Sequence, residues 1–290
     1  MAQQKKIKGE FKKSTRKRRP SSAEETKRKR ALLKKFRSIP LGKEIMKLAQ
    51  KYKIKISFAY DLSDREASYD WQDKTVFLDG WGDNDHLIPA LAHELRHAFQ
   101  EIGGLTDGFR NNIYKYIIRS RFEEADAFSF EALFAYQFME QTGNSVPWES
   151  TCEVVPKITK AVEEAMKDYN DPIVARRAGF QAYFKDKTLR NAYDRNFLKA
   201  LSNIDDNEDI KVTLDVGTFL DDERFYDFGF MNFDLKGDNY LTDIADVYLL
   251  SASLIGQLSN DNRNSMQKLL SKKKKSPVSK RKPNRRNLYG

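Results

Sequence analysis

The chain has 290 residues, 40% hydrophobic and 12% aromatic, enough to fill the core of one large or two small domains and too apolar for a largely disordered protein. No stretch approaches the ~20 continuous apolar residues that cross a bilayer, and the single cysteine, Cys152, excludes an intramolecular disulfide and a cysteine-based zinc site. The formal charge of +10 is unevenly placed: residues 1–38 carry 16 Lys/Arg against three acids, residues 271–290 carry nine against none, and the span between them is net −12.

Like charges repel and stay solvated, so residues 1–38 read as a basic flexible tail. Its first twenty residues have no apolar h-region, so no secretory signal is expected there. Leu41–Gln50 follows at helical spacing, and the alternation in Lys53–Tyr60 predicts a half-buried strand. Ala67–Trp71 and Thr75–Asp79 flank polar turn residues and read as a hairpin. A helix is expected next, capped by Asp83 or Asp85 and stopped by Gly103-Gly104. Its apolar stripe is Ile88, Leu91, Ala92, Leu95, Phe99 and Ile102. A second long helix runs from about Asn112 to Gln141, and Gly143–Pro147 marks a boundary. Shorter helices are expected around 156–169 and 173–202, a strand at 211–216, and helices near 242–258 and 260–271. The division is therefore a tail at 1–38, a core at 39–145, a mainly helical region at 146–270 and a second basic flexible tail at 271–290. The element order is an α+β pattern.

The three histidines are His86, His93 and His97, and two of them fall in His93-Glu94-Leu95-Arg96-His97. On a helix, positions i and i+4 share a face, so both imidazoles reach one metal ion. Zinc suits two neutral imidazoles and a carboxylate, with the fourth position left to a water of lowered pKa. Glu94, next to the first histidine, is the candidate general base, taking the proton of that water and passing it to the leaving amine. Stripe phase places Leu95 inside and both histidines at the border of the core.

The third ligand is sought in Arg121-Phe-Glu-Glu-Ala-Asp-Ala127, where acids inside an apolar helix are costly unless paired or bound to a cation. Glu124 borders the buried stripe, four residues before Phe128 and seven before Glu131, and is the candidate; Glu123 is the competitor. Asp126 is a candidate hydrogen-bond acceptor for a ligand imidazole, the alternative being a surface acid paired with Arg119 or Arg121. His86 reads as a surface or capping residue.

The hairpin, the His93–His97 helix and the following helix bearing Glu124-Ala-Asp126 resemble the gluzincin peptidases, over about residues 41–141. The same segments are similar to uncharacterised bacterial and phage proteins grouped as metallopeptidases. The resemblance implies a zincin-like core, zinc held by His93, His97 and a glutamate, and Glu94 as base. Many gluzincins carry the ligand glutamate four residues before the aspartate, and that slot here is Phe122. The family also implies that Thr75–Asp79 is the edge strand on which a peptide adds, and that a donor to the tetrahedral intermediate exists, with His86, Tyr114, Tyr116 or a tyrosine of the second half as candidates.

The expected activity is zinc-dependent peptide-bond hydrolysis, of endopeptidase type, on a protein or peptide substrate in the cytoplasm. The alternative is a zincin core in a DNA- or polyanion-associated binding protein, or in an exported effector whose basic end is a transport tag. The aromatic run Phe219–Met231 reads as core and turn, the alternative being a lining of the substrate cleft beside the zinc.

Overall fold

The computed structural model describes residues 18–62, 65–105, 113–202, 241 and 258–275. They form an α+β structure, mostly helical, with one small three-stranded mixed sheet. Among them, no helix is long and apolar enough to cross a membrane.

Helix α1, Ser22–Phe36, lies inside the segment expected to be a flexible tail, and that expectation is corrected. A capping box starts it: Ser21 Oγ accepts from the Glu24 amide, and the Glu24 carboxylate accepts from the Ser21 amide at 2.7 Å. Leu32 and Phe36 are fully buried, and Phe36 stacks on Phe134 with centroids 4.5 Å apart. Arg28 donates to the Gly80 and Gly82 carbonyls and to Asn84 Oδ1, with its guanidinium over the Phe58 ring. Charge density had masked an amphipathic helix whose cations reach inward as well as outward. Helix α2, Pro40–Lys51, opens on a proline suited to a first turn. A Cβ on its Gly42 would collide with the Phe36 carbonyl oxygen, so glycine permits the tight passage from α1 to α2.

Strands β1 (Lys55–Ala59), β2 (Ala67–Asp70) and β3 (Thr75–Asp79) stand in the order β1-β3-β2. β2 and β3 form the expected antiparallel hairpin, and β1 adds to β3 in parallel, Lys55 opposite Thr75. Thr75–Asp79 is thus the central strand, which corrects its expected place at the edge. A hairpin has two outer sides, and alternation within Lys53–Tyr60 does not say which one β1 joins. The sheet lies on helix α3, Leu87–Ile102, and the Tyr69 hydroxyl donates to Glu101 at 2.8 Å. Gly103 caps α3, and Gly104 at φ +72° turns the chain away.

Helix α4, Ile113–Thr142, is the spine. One side, with Phe130, Phe134 and Phe138, closes a core with α1, α2, the sheet and α3. The other, with Ile118, Phe122, Ala125, Phe128 and Ala132, builds a second core with later helices. These are α5 (Val146–Val154), α6 (Pro156–Tyr169), α7 (Pro172–Lys185) and α8 (Lys187–Ser202). Helix α5 occupies what had read as a boundary: Pro147 sits in its first turn, where a missing N–H is harmless. The single helix expected over 173–202 breaks at Asp186, whose carboxylate accepts from the Thr188 and Leu189 amides and restarts the chain as α8. Helix α9, Asn260–Lys275, continues past the expected start of the second basic tail at residue 271. The strand at 211–216, the aromatic run 219–231, residues 1–17 and 276–290, and the helix near 242–258 apart from Leu258 lie outside the described residues.

Candidate metal centre

Ile88, Leu91, Ala92, Leu95 and Phe99 are all buried, and this packing sets the rotation of α3. The rotation turns His93 and His97 toward α4, with their Nε2 atoms 3.0 Å apart. Glu124 approaches from α4, its Oε2 lying 3.5 Å from His93 Nε2 and 3.8 Å from His97 Nε2. Glu123, one residue earlier, is engaged by Arg119 Nε at 2.9 Å. Glu124, and not Glu123, therefore completes the one group among the described residues able to hold a metal ion, with ligand atoms all within 4.8 Å.

Glu124 Oε2 is buried and has no hydrogen-bond partner among the described residues. Burial pushes the Glu124 carboxyl up, but the His97 charge and the two imidazole contacts outweigh it and hold it down at about 2. Burial pushes His93 down, yet its contacts with Glu124 and Glu131 hold it well above the usual histidine range. His97 moves the same way, burial being overcome by Glu124.

The outer ring nitrogens contact two residues to which the sequence reading assigns no role. His93 Nδ1 meets Glu131 Oε2 at 2.9 Å, and His97 Nδ1 meets Gln100 Oε1 at 2.8 Å. Glu131 stands two helical turns after Glu124 on the same face, a periodic signal that was available. Gln100 carried none, because an uncharged amide does not stand out in sequence.

Asp126 corrects both of its expected roles. It touches neither imidazole and is fully buried, accepting from Arg96 Nε at 2.5 Å, Gln100 Nε2 at 2.7 Å and Arg176 Nη2. Arg121 is buried against Asp194 instead, in a two-pronged contact of 2.8 and 2.6 Å. Glu94 is half-buried on α3, and its carboxylate has no hydrogen bond or ion pair among the described residues.

Of the candidate donors, His86 is exposed at the start of α3, 3.9 Å from Asp83, and Tyr116 lies edge-on to Phe197. The Tyr114 side chain lies outside the described residues. Two tyrosines of the second half come closer to the triangle. Phe128 packs edge-on against His93, stacks on Tyr183 and meets Tyr193. Burial first, and the Glu124 charge next, push both hydroxyls well above the ordinary tyrosine range. Tyr183 is fully buried, its hydroxyl without a hydrogen-bond partner among the described residues; Tyr193 is half-buried.

A family model described as "Putative metallopeptidase family (DUF6782)" matches residues 13–228, about three-quarters of the chain and all of α1 through α8. The chain belongs to that family. No curated protein and no solved structure matches it. Membership in this metallopeptidase family implies a metal cofactor, and the residues fit one. Two ligands held 2.0–2.1 Å from one tetrahedral ion are about 3.3 Å apart. The three edges of the triangle, 3.0, 3.5 and 3.8 Å, bracket that spacing. The unpartnered Glu124 oxygen is the acceptor that a cation would satisfy.

A pH effect follows for this metallopeptidase-family chain. Both histidines are held above their ordinary value, His93 well above it, so in the metal-free protein the His93 ring keeps its second proton near neutrality. Metal requires unprotonated ring nitrogens, so uptake at pH 7 should release at least one proton, and affinity should fall as the pH is lowered. Calorimetric titration in buffers of different ionisation enthalpy measures this; heats independent of buffer would contradict it.

Proposed function

We propose that this chain is a zinc-dependent endopeptidase of gluzincin type, with His93, His97 and Glu124 as zinc ligands and Glu94 as general base on a zincin-like core. The observation that carries the reading is the triangle of two imidazole nitrogens and one carboxylate oxygen that is buried and has no hydrogen-bond partner among the described residues. Two imidazoles and one carboxylate, a three-ligand set among the described residues, match catalytic zinc better than the closed four-ligand set of structural zinc. When bound, zinc supplies Lewis acidity, polarising the scissile carbonyl and lowering the pKa of water.

The protein's own groups do the rest. Glu94, whose carboxylate has no hydrogen bond or ion pair among the described residues, accepts a proton from the attacking water as the new C–O bond forms, and delivers it to the amine nitrogen as the C–N bond breaks. Tyr193, half-buried and packed on the Phe128 that covers His93, is the candidate donor to the developing oxyanion, its hydroxyl kept protonated by burial and the Glu124 charge. The sheet offers β2 as an outer strand on which a peptide can add, since β3 is central and Lys29 Nζ already reaches the Ile56 carbonyl of β1 at 3.2 Å.

Metal analysis tests the ligand set. The unaltered protein should carry about one zinc per chain, and His93→Ala and Glu124→Gln should each lower affinity by several orders of magnitude while circular dichroism stays unchanged. Zinc retained at full stoichiometry in both variants would reject the assignment.

A further inference from the structure

Gln100 lies one turn beyond His97 on α3, is 1% exposed, and uses both ends of its amide. Its nitrogen faces Asp126 Oδ2 at 2.7 Å and the Glu123 carbonyl oxygen at 3.0 Å. Two acceptors on one side settle which end is nitrogen, so the oxygen faces His97 Nδ1 at 2.8 Å. An amide oxygen can only accept, so the ring proton of neutral His97 sits on Nδ1. Its Nε2 is then left with a lone pair directed at the triangle. The Glu131 carboxylate imposes the same proton position on His93.

We propose that Gln100 is a positioning residue for the metal centre, held by Asp126 so that its amide oxygen fixes the His97 ring and presents Nε2 to the metal. The proposal rests on the metal-binding reading above. Asp126 is gripped by Arg96 of α3 and Arg176 of α7, so the aim of His97 is anchored across α4 in the second core. The two imidazoles are not equivalent. A charged carboxylate supports His93 and a neutral amide supports His97, which makes His93 the more basic donor.

The test uses the full chain, zinc alone as the probe, and two readouts besides activity. In the zinc-loaded unaltered protein, nitrogen-15 and proton spectra should show both rings metallated at Nε2, each with a slowly exchanging Nδ1 proton. Gln100→Leu should abolish the slow exchange for His97 alone, and weaken zinc affinity about 10- to 100-fold in chelator competition. Glu131→Gln should disturb the His93 signal instead. A merely space-filling Gln100 would leave the His97 signal and the affinity unchanged, and that result overturns the proposal. Should Gln100→Leu fail to fold, the unaltered protein decides: His97 metallated at Nδ1, or with a freely exchanging Nδ1 proton, is equally fatal. If the unaltered protein takes up no zinc, the metal-binding reading falls along with this one; if it does and only the His97 signatures fail, this inference alone is lost.

Discussion

Glu94→Gln is expected to keep its zinc and its stability while losing peptide hydrolysis by ~10²- to 10⁴-fold, the range over which a positioned general base acts. The reasons are local. Glu94 is half-buried beside His93, and its carboxylate is bound to nothing among the described residues. A glutamine of the same shape removes no contact from the fold and no atom from the triangle. It removes only the capacity to take a proton. Melting and metal content serve as controls, with the rate on a cleavable peptide as the readout. An unchanged rate would mean that Glu94 is not the base, and equal loss of zinc would mean that its role is in the metal site itself.

The second large effect concerns Asp126. Asp126→Asn removes the carboxylate shared by two fully buried guanidiniums while preserving shape. Breaking a buried ion pair from one side costs about 3–5 kcal/mol, because charge is left in a medium that solvates it poorly. For a domain of this size the loss corresponds to a melting temperature lower by on the order of 10 °C. The exposed pair of Lys160 and Glu164, 3.7 Å apart on α6, provides the contrast; removing it should change stability by ~0–1 kcal/mol. Urea unfolding of the metal-free protein separates the two cases, and a loss below about 1 kcal/mol at Asp126 would refute the argument.

What could be read in advance follows from how local each signal is. The stripe from Ile88 to Phe99 set the rotation of α3 correctly, and with it the shared face of His93 and His97, because period and burial are local properties. The hairpin was legible for the same reason. The docking of β1 on β3 was not, because it depends on residues twenty positions apart in register, Lys55 and Thr75. Asp126 was misread for a related reason. The arginines that hold it lie 30 and 50 positions away, and nothing in an Ala-Asp-Ala context announces them. Helix α1 is a different failure. Ser21-x-x-Glu24 is a capping-box signature, and Leu32 with Phe36 is a helical pair, yet sixteen cations in 38 residues outweighed both. The second half was least legible, since its helices are placed by aromatic packing around Phe122, Phe180 and Tyr183 rather than by any motif.

Helix α4 lends one flank to each core and carries Glu124 and Glu131 between them. Neither half is a free-standing module that recombination could lift into another protein, because whichever half departs with the helix strips the other of a wall. Substitutions in turns and outward-facing side chains leave both walls standing, whereas a change on the spine is felt in both cores at once.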